Sequence, residues 1–164
     1  FATFQATNLA RVRIYGVEAK GEWVLDRNWV LAGSIAYANG KDEDTDDPLN
    51  SINPLTAVAG VRYTSSAGDW GGALNITGVS GKSSATAASG VEPFLTPGFG
   101  LVDITGYWNI NKHLRLAGGV FNLFDKQYWL WSNVGQTGLS ADSPWLDRYT
   151  QPGINVAVNL QLIY

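Results

Sequence analysis

The chain has 164 residues, of which 45% are hydrophobic and only 15% charged, with a formal net charge of -3. Soluble domains average about 25% charged residues, so part of this surface is expected to meet something other than water. The acidic balance argues against a nucleic-acid partner, zero Cys excludes disulfides and thiolate metal sites, and no apolar run reaches the ~18 residues of a membrane-spanning helix.

Period-2 alternation dominates the rest. The first segment, 11–25, sets Val17, Ala19, Trp23 and Leu25 with Gly21 on one face and Glu18, Lys20 and Glu22 on the other, as an extended strand does. A polar turn, Asp26-Arg27-Asn28, leads to 29–40, where Trp29, Leu31, Ile35 and Tyr37 oppose Ala32, Ser34 and Ala36. Residues 41–54 form a long loop holding Asp42, Glu43, Asp44, Asp46 and Asp47. It begins like a calcium loop but has Asp47 and Asn53 where Gly and Glu are needed, so a solvated acidic loop is expected. Strands are predicted again over 55–64 and 70–80, joined by the short turn 65–69, and a second long loop covers 81–98.

The fifth segment, 99–109, opposes Val102, Ile104 and Trp108 to Asp103, Thr105 and Asn109. The turn 110–113 carries the only histidine, His113, which reads as a solvated turn residue rather than a metal ligand. After a strand over 114–124, the longest loop, 125–152, gathers Tyr128, Trp129, Trp131, Trp145, Arg148 and Tyr149. Such a set suits a hot spot for a porphyrin face or a partner protein, or rings that pack on one another to order the loop; the composition weighs toward the second. The last strand, 153–164, puts Ile154, Val156, Val158, Leu160, Leu162 and Tyr164 on one face and Asn155, Asn159 and Gln161 on the other.

Seven strands of about ten or more residues, each ~3.3 Å per residue and tilted ~45°, match the ~25 Å apolar band of an outer membrane. Short and long connections alternate strictly, as in an up-and-down antiparallel transmembrane β-barrel. Trp23, Trp29, Tyr63, Trp70, Trp108 and Tyr164 form a girdle at the short-turn rim, and Tyr15, Tyr37, Phe99 and Phe124 a second near the long loops. The charged positions must then face a wet or protein-filled lumen, making Glu18, Lys20, Glu22, Asp103 and Arg115 candidate plug contacts. Seven is odd, whereas single-chain bacterial barrels have even strand numbers, so further strands are expected before residue 1; residues 1–7 could supply the tail of an eighth.

Several stretches carry a family resemblance. Ile14-Tyr15-Gly16-Val17-Glu18, Leu49-Asn50-Ser51-Ile52-Asn53-Pro54-Leu55 before Gly60-Val61-Arg62-Tyr63, Asn122-Leu123-Phe124-Asp125-Lys126-Gln127-Tyr128, and Gln151-Pro152-Gly153 before a terminal aromatic strand are together similar to the C-terminal part of a TonB-dependent outer-membrane receptor. The second stretch most resembles the subgroup that takes up haem or takes iron from haemoglobin and transferrin. The resemblance implies a 22-stranded barrel in the Gram-negative outer membrane, in contact with lipid and lipopolysaccharide. It also implies an N-terminal plug and a TonB box outside these residues, and transport of haem, or of haem or iron from a carrier protein, without catalysis or a resident cofactor. A ferric-siderophore receptor and a passive porin-like channel are the alternatives, with a soluble β-sandwich as the rival outside membranes.

Overall fold

The computed structural model describes residues 11–87 and 90–162. Its strands are β1 (Val12–Val24), β2 (Trp29–Asp42), β3 (Thr56–Thr64), β4 (Trp70–Val79), β5 (Phe99–Asn111), β6 (Leu114–Phe121) and β7 (Asn155–Leu162). They form one antiparallel meander in the order β1-β2-β3-β4-β5-β6-β7. One short helix, α1 (Trp131–Val134), and a 3-10 turn, Leu146–Tyr149, lie in the last long loop. The expected outer segment of residues 1–10 and the terminal Tyr164 fall outside the described residues.

The register shows why the alternation matters. Directly paired residues on antiparallel strands share a face, and one row runs Trp23, Leu31, Val61, Leu74, Ile104, Val120, Val156, an apolar side chain from every strand. The row beside it on the opposite face runs Glu22, Ala32, Gly60, Asn75, Asp103. Burial is inverted relative to a soluble fold. Val156, Val158, Leu160 and Leu162 are 61–73% exposed, while the buried hydrophobics among the described residues, Phe99, Trp131, Val134 and Leu146, include none from the apolar rows. Taking a Val or Leu side chain fully out of water stabilises by roughly 1.5–3 kcal/mol, so this face calls for an apolar covering.

Short connections are fixed by their polar residues. Asp26 Oδ1 accepts the N–H groups of Asn28 at 2.7 Å and Trp29 at 2.9 Å. Ser65 bonds the Asp69 carboxylate, with Gly68 at φ 75° turning the chain. Neighbouring turns are cross-tied, since Asn28 Nδ2 donates to the Thr64 carbonyl at 2.6 Å and Asn109 Nδ2 to that of Gly68 at 3.1 Å. Above them Trp29, Tyr63 and Trp70 touch in sequence, with ring centroids 4.8 and 5.0 Å apart. Trp70 pairs with Trp108, which continues the inner girdle across β5.

Three expectations need correction. The sixth strand ends at Phe121 instead of 124, because Asn122 at φ 51° and Asp125 at φ 50° adopt left-handed backbone that no strand contains. The fifth extends to Asn111 through a register shift at Asn109 and Asn111, shortening the third turn. Phe99 does not belong to a lipid girdle: its row runs Glu18, Ala36, Thr56, Val79, Phe99, on the charged face, and its ring is buried against Tyr128 at 4.4 Å.

Candidate functional site

All three long connections leave the sheet at the rim opposite the short turns, and there they interlock. Asn50 Nδ2 donates to the Thr86 carbonyl and the Thr86 N–H returns to Asn50 Oδ1, both at 2.9 Å, joining the first long loop to the second. Thr86 Oγ1 also donates to the Pro48 carbonyl at 2.7 Å. The third loop joins through Trp131 Nε1, which donates to the Asn50 carbonyl at 2.8 Å, and through the Leu139 carbonyl, which accepts from Phe94 N–H at 2.7 Å.

Trp131 centres a small hydrophobic core. It is 3% exposed and packs with Val134 and Leu146, while Ala85, Phe94, Trp129 and Tyr149 close around them. Gly135 allows the chain to turn over the indole, since a Cβ there would lie 2.4 Å from the ring. Trp129 meets Phe94 edge-on at 5.4 Å and donates its Nε1–H to the Leu146 carbonyl at 3.1 Å. Lys82 Nζ lies 4.9 Å over the Trp131 ring and donates to the Ile52 carbonyl at 2.7 Å. Burial on that ring holds the ammonium below the usual lysine pKa.

Trp129, Trp131 and Tyr149 are thus built into the loop's own framework, and Tyr128 packs on Phe99 of β5. Trp145 and Arg148 are different: Trp145 is 52% exposed, and the Arg148 guanidinium stacks 4.2 Å over its ring, leaving an exposed cationic and aromatic pair. Beneath the loop, Tyr128 and Trp131 meet Thr56, Thr77 and Phe99 of the charged face around a cavity of about 270 Å³. The loop therefore folds inward over the wall. Burial, and then the negative charge of Asp103, raise the Tyr128 hydroxyl above its ordinary pKa.

On the charged face the candidate plug contacts are spread along the wall. Glu22 pairs with Arg62 at 3.6 Å, and the Arg115 guanidinium lies 4.4 Å over Tyr107. Lys20 and Glu22 border a groove with Ser34 and Asn75, whereas Glu18 lies nearer the outer rim, opposite Ala36. Asp103 accepts the N–H of Asn122 at 2.8 Å, which ties it to the base of the last loop. In the acidic loop, Glu43 pairs with Arg13 at 2.6 Å, Asp44 with Arg11 at 3.9 Å and Asp46 with Lys41. Asp42 caps the turn through the Asp44 N–H at 2.8 Å. Among the described residues no group of three or more His, Cys, Asp or Glu could hold a metal ion. Lys82 and Thr86, which help organise the site, gave no sequence signal, and Asn50 stood out only as part of the 49–55 stretch, because polar loop residues look alike until their partners are known.

Residues 1–123 match the family model described as TonB dependent receptor-like, beta-barrel. The chain belongs to that receptor family. Its barrel is an outer-membrane structure of Gram-negative bacteria. A haemoglobin-haptoglobin utilization protein B of Neisseria meningitidis serogroup A is 24% identical over 92% of this chain and 21% of its own length. A transferrin-binding protein A of N. meningitidis serogroup B is 31% identical over 70% of this chain and 14% of its own. In structure the chain is similar to the copper transporter OprC, with a TM-score of 0.77 and 28% identity over 93% of this chain and 24% of that one. The chain spans about a fifth of the length of the first of these relatives.

Proposed function

We propose that the chain is the C-terminal part of the barrel of a TonB-dependent receptor for iron acquisition, which takes haem, or haem or iron from a carrier protein, at the outer face and imports it to the periplasm. The observation that carries this is the outer platform, where the stacked, exposed Trp145 and Arg148 pair adjoins Leu146 of a hydrophobic core built from two of the long loops. An exposed Trp and Arg pair is the composition of a protein-binding hot spot, and receptors for haemoglobin-haptoglobin and transferrin are among the chain's relatives. Its partners on this reading are outer-membrane lipid and lipopolysaccharide, its own plug domain, a haem or iron carrier, and the TonB complex acting on an N-terminal box. It works by binding and energised passage, with no catalysis and no resident cofactor.

A second reading, a ferric-siderophore receptor, draws support from the uncharged aromatic and hydroxyl cavity beneath the loop, whose size suits one arm of a small chelate. Growth of a strain with and without the intact gene, on haemin, haemoglobin, iron-loaded transferrin or a ferric siderophore as sole iron source, tests this. Gene-dependent growth on haemin or a carrier is expected. Gene-dependent growth on the siderophore alone supports the second reading.

A further inference from the structure

The last long loop begins and ends on one side chain. Asn122, 3% exposed, accepts the Lys126 N–H on Oδ1 at 2.8 Å, and its Nδ2 donates to the carbonyls of Lys126 at 2.9 Å and Pro152 at 3.1 Å. One amide thus bonds both ends of the loop. Its own N–H is held by Asp103 on the charged face of β5 at 2.8 Å. Asp125 completes the knot by accepting the Ile154 N–H at 2.8 Å, and a Cβ at Gly153 would lie 2.3 Å from that carboxylate, so the carboxylate would have to shift off its bond. The left-handed backbone of Asn122 and Asp125 suits Asn and Asp better than most residues.

We propose that Asn122, seated on Asp103, is a positioning residue for capture: from within the barrel wall it sets the pose of the loop and so of Trp145 and Arg148. The inference rests on the reading of that pair as the capture surface. A side chain that makes three bonds to the two ends of a loop removes most of the loop's freedom at its base, and a loop ordered before binding loses less entropy when it binds. Because the anchor beneath it is a lumen-wall carboxylate, the outer surface and the lumen share one bonded element.

The test uses the full-length receptor. Asn122→Asp keeps size and acceptor but loses both Nδ2 donors, Asn122→Gly keeps the left-handed backbone without any side-chain bond, and Gly153→Ala strains the knot from its other end. With the barrel folded, as read by heat-modifiable gel migration, amide exchange across 126–150 is expected to rise about tenfold in each. Binding of haemoglobin or iron-loaded transferrin is expected to weaken about tenfold as well. Arg148→Ala should weaken binding without raising exchange, and its effect should shrink when Asn122→Asp is already present. Unchanged exchange in Asn122→Asp, or strictly additive losses with Arg148→Ala, overturns the proposal. If neither carrier binds the unaltered receptor, the capture reading falls, and the positioning role falls with it; the exchange data then show separately whether the knot orders the loop.

Discussion

A few side chains decide how the outer rim is organised, and each does so through a partner distant in the chain. Trp131 reaches the Asn50 carbonyl across two loops, and its burial leaves Lys82 as the cation over its face. Tyr128 shows how the loop and the wall influence one another, because its ring lies on Phe99 and its hydroxyl feels Asp103. Its pKa is raised in the folded state, first by burial and then by that carboxylate. A raised folded pKa means its contribution to stability is fully present below the unfolded value of about 10 and is lost as pH climbs through the folded one. Ultraviolet difference titration of the receptor against Tyr128→Phe is therefore expected to show one phenol ionising later than free tyrosine, with loop exchange rising only above that pH. A Tyr128 contribution that titrates with the exposed tyrosines contradicts the packing.

At the scale of the strand, facing is a parity rule, and β7 is its sharpest test. Val158 pairs with Gly118 on the apolar face, and Asn159 pairs with Ala117 on the charged face one residue later. Val158→Arg is expected to destabilise the assembled barrel by about 2–4 kcal/mol, the cost of a basic side chain near the bilayer midplane, and Asn159→Arg much less. Equal losses in denaturant unfolding contradict the facing. This parity was legible in the sequence because it repeats along every strand, as were the short turns, whose Asp, Asn, Ser and Gly bond their own neighbours. What was not legible depends on partners distant in the chain. Phe99 read as a girdle residue from its place near the rim, although its parity with Asp103 already set it on the charged face; its contact with Tyr128 appears only in the fold. The strand at 114–124 read through Asn122 because period 2 does not reveal a left-handed backbone. At the site, the Trp and Tyr cluster was visible as composition, but its division into an inner framework and an exposed Trp145 and Arg148 pair follows from the fold of the loop. The Asn122 motif and Gln151-Pro152-Gly153 were both visible, yet nothing in their spacing tells that they close on each other.

The whole sheet presents two demands that these residues do not meet by themselves. One face is a continuous apolar field with exposed Trp, Val and Leu, and β1 and β7 are each paired on one side only among the described residues. Unpaired backbone groups in hydrocarbon cost several kcal/mol each, so a membrane tolerates the sheet only when its edges are closed. The charged wall adds a third demand. The Glu22 and Arg62 pair and the Arg115 guanidinium are stable there if water or a plug covers them. A fragment of residues 1–164 made alone is therefore expected to aggregate in water and, in detergent micelles, to lack heat-modifiable migration. Co-expression with strands that pair the free edges of β1 and β7 should restore a compact barrel, read by gel migration and by protease resistance. A folded, monomeric fragment in detergent-free buffer, shown by size-exclusion chromatography and circular dichroism, refutes the membrane assignment of the apolar face. The outcome turns on the edges as well as the face: detergent can cover Val156 and Val158, but only another strand can take the free backbone groups of β7.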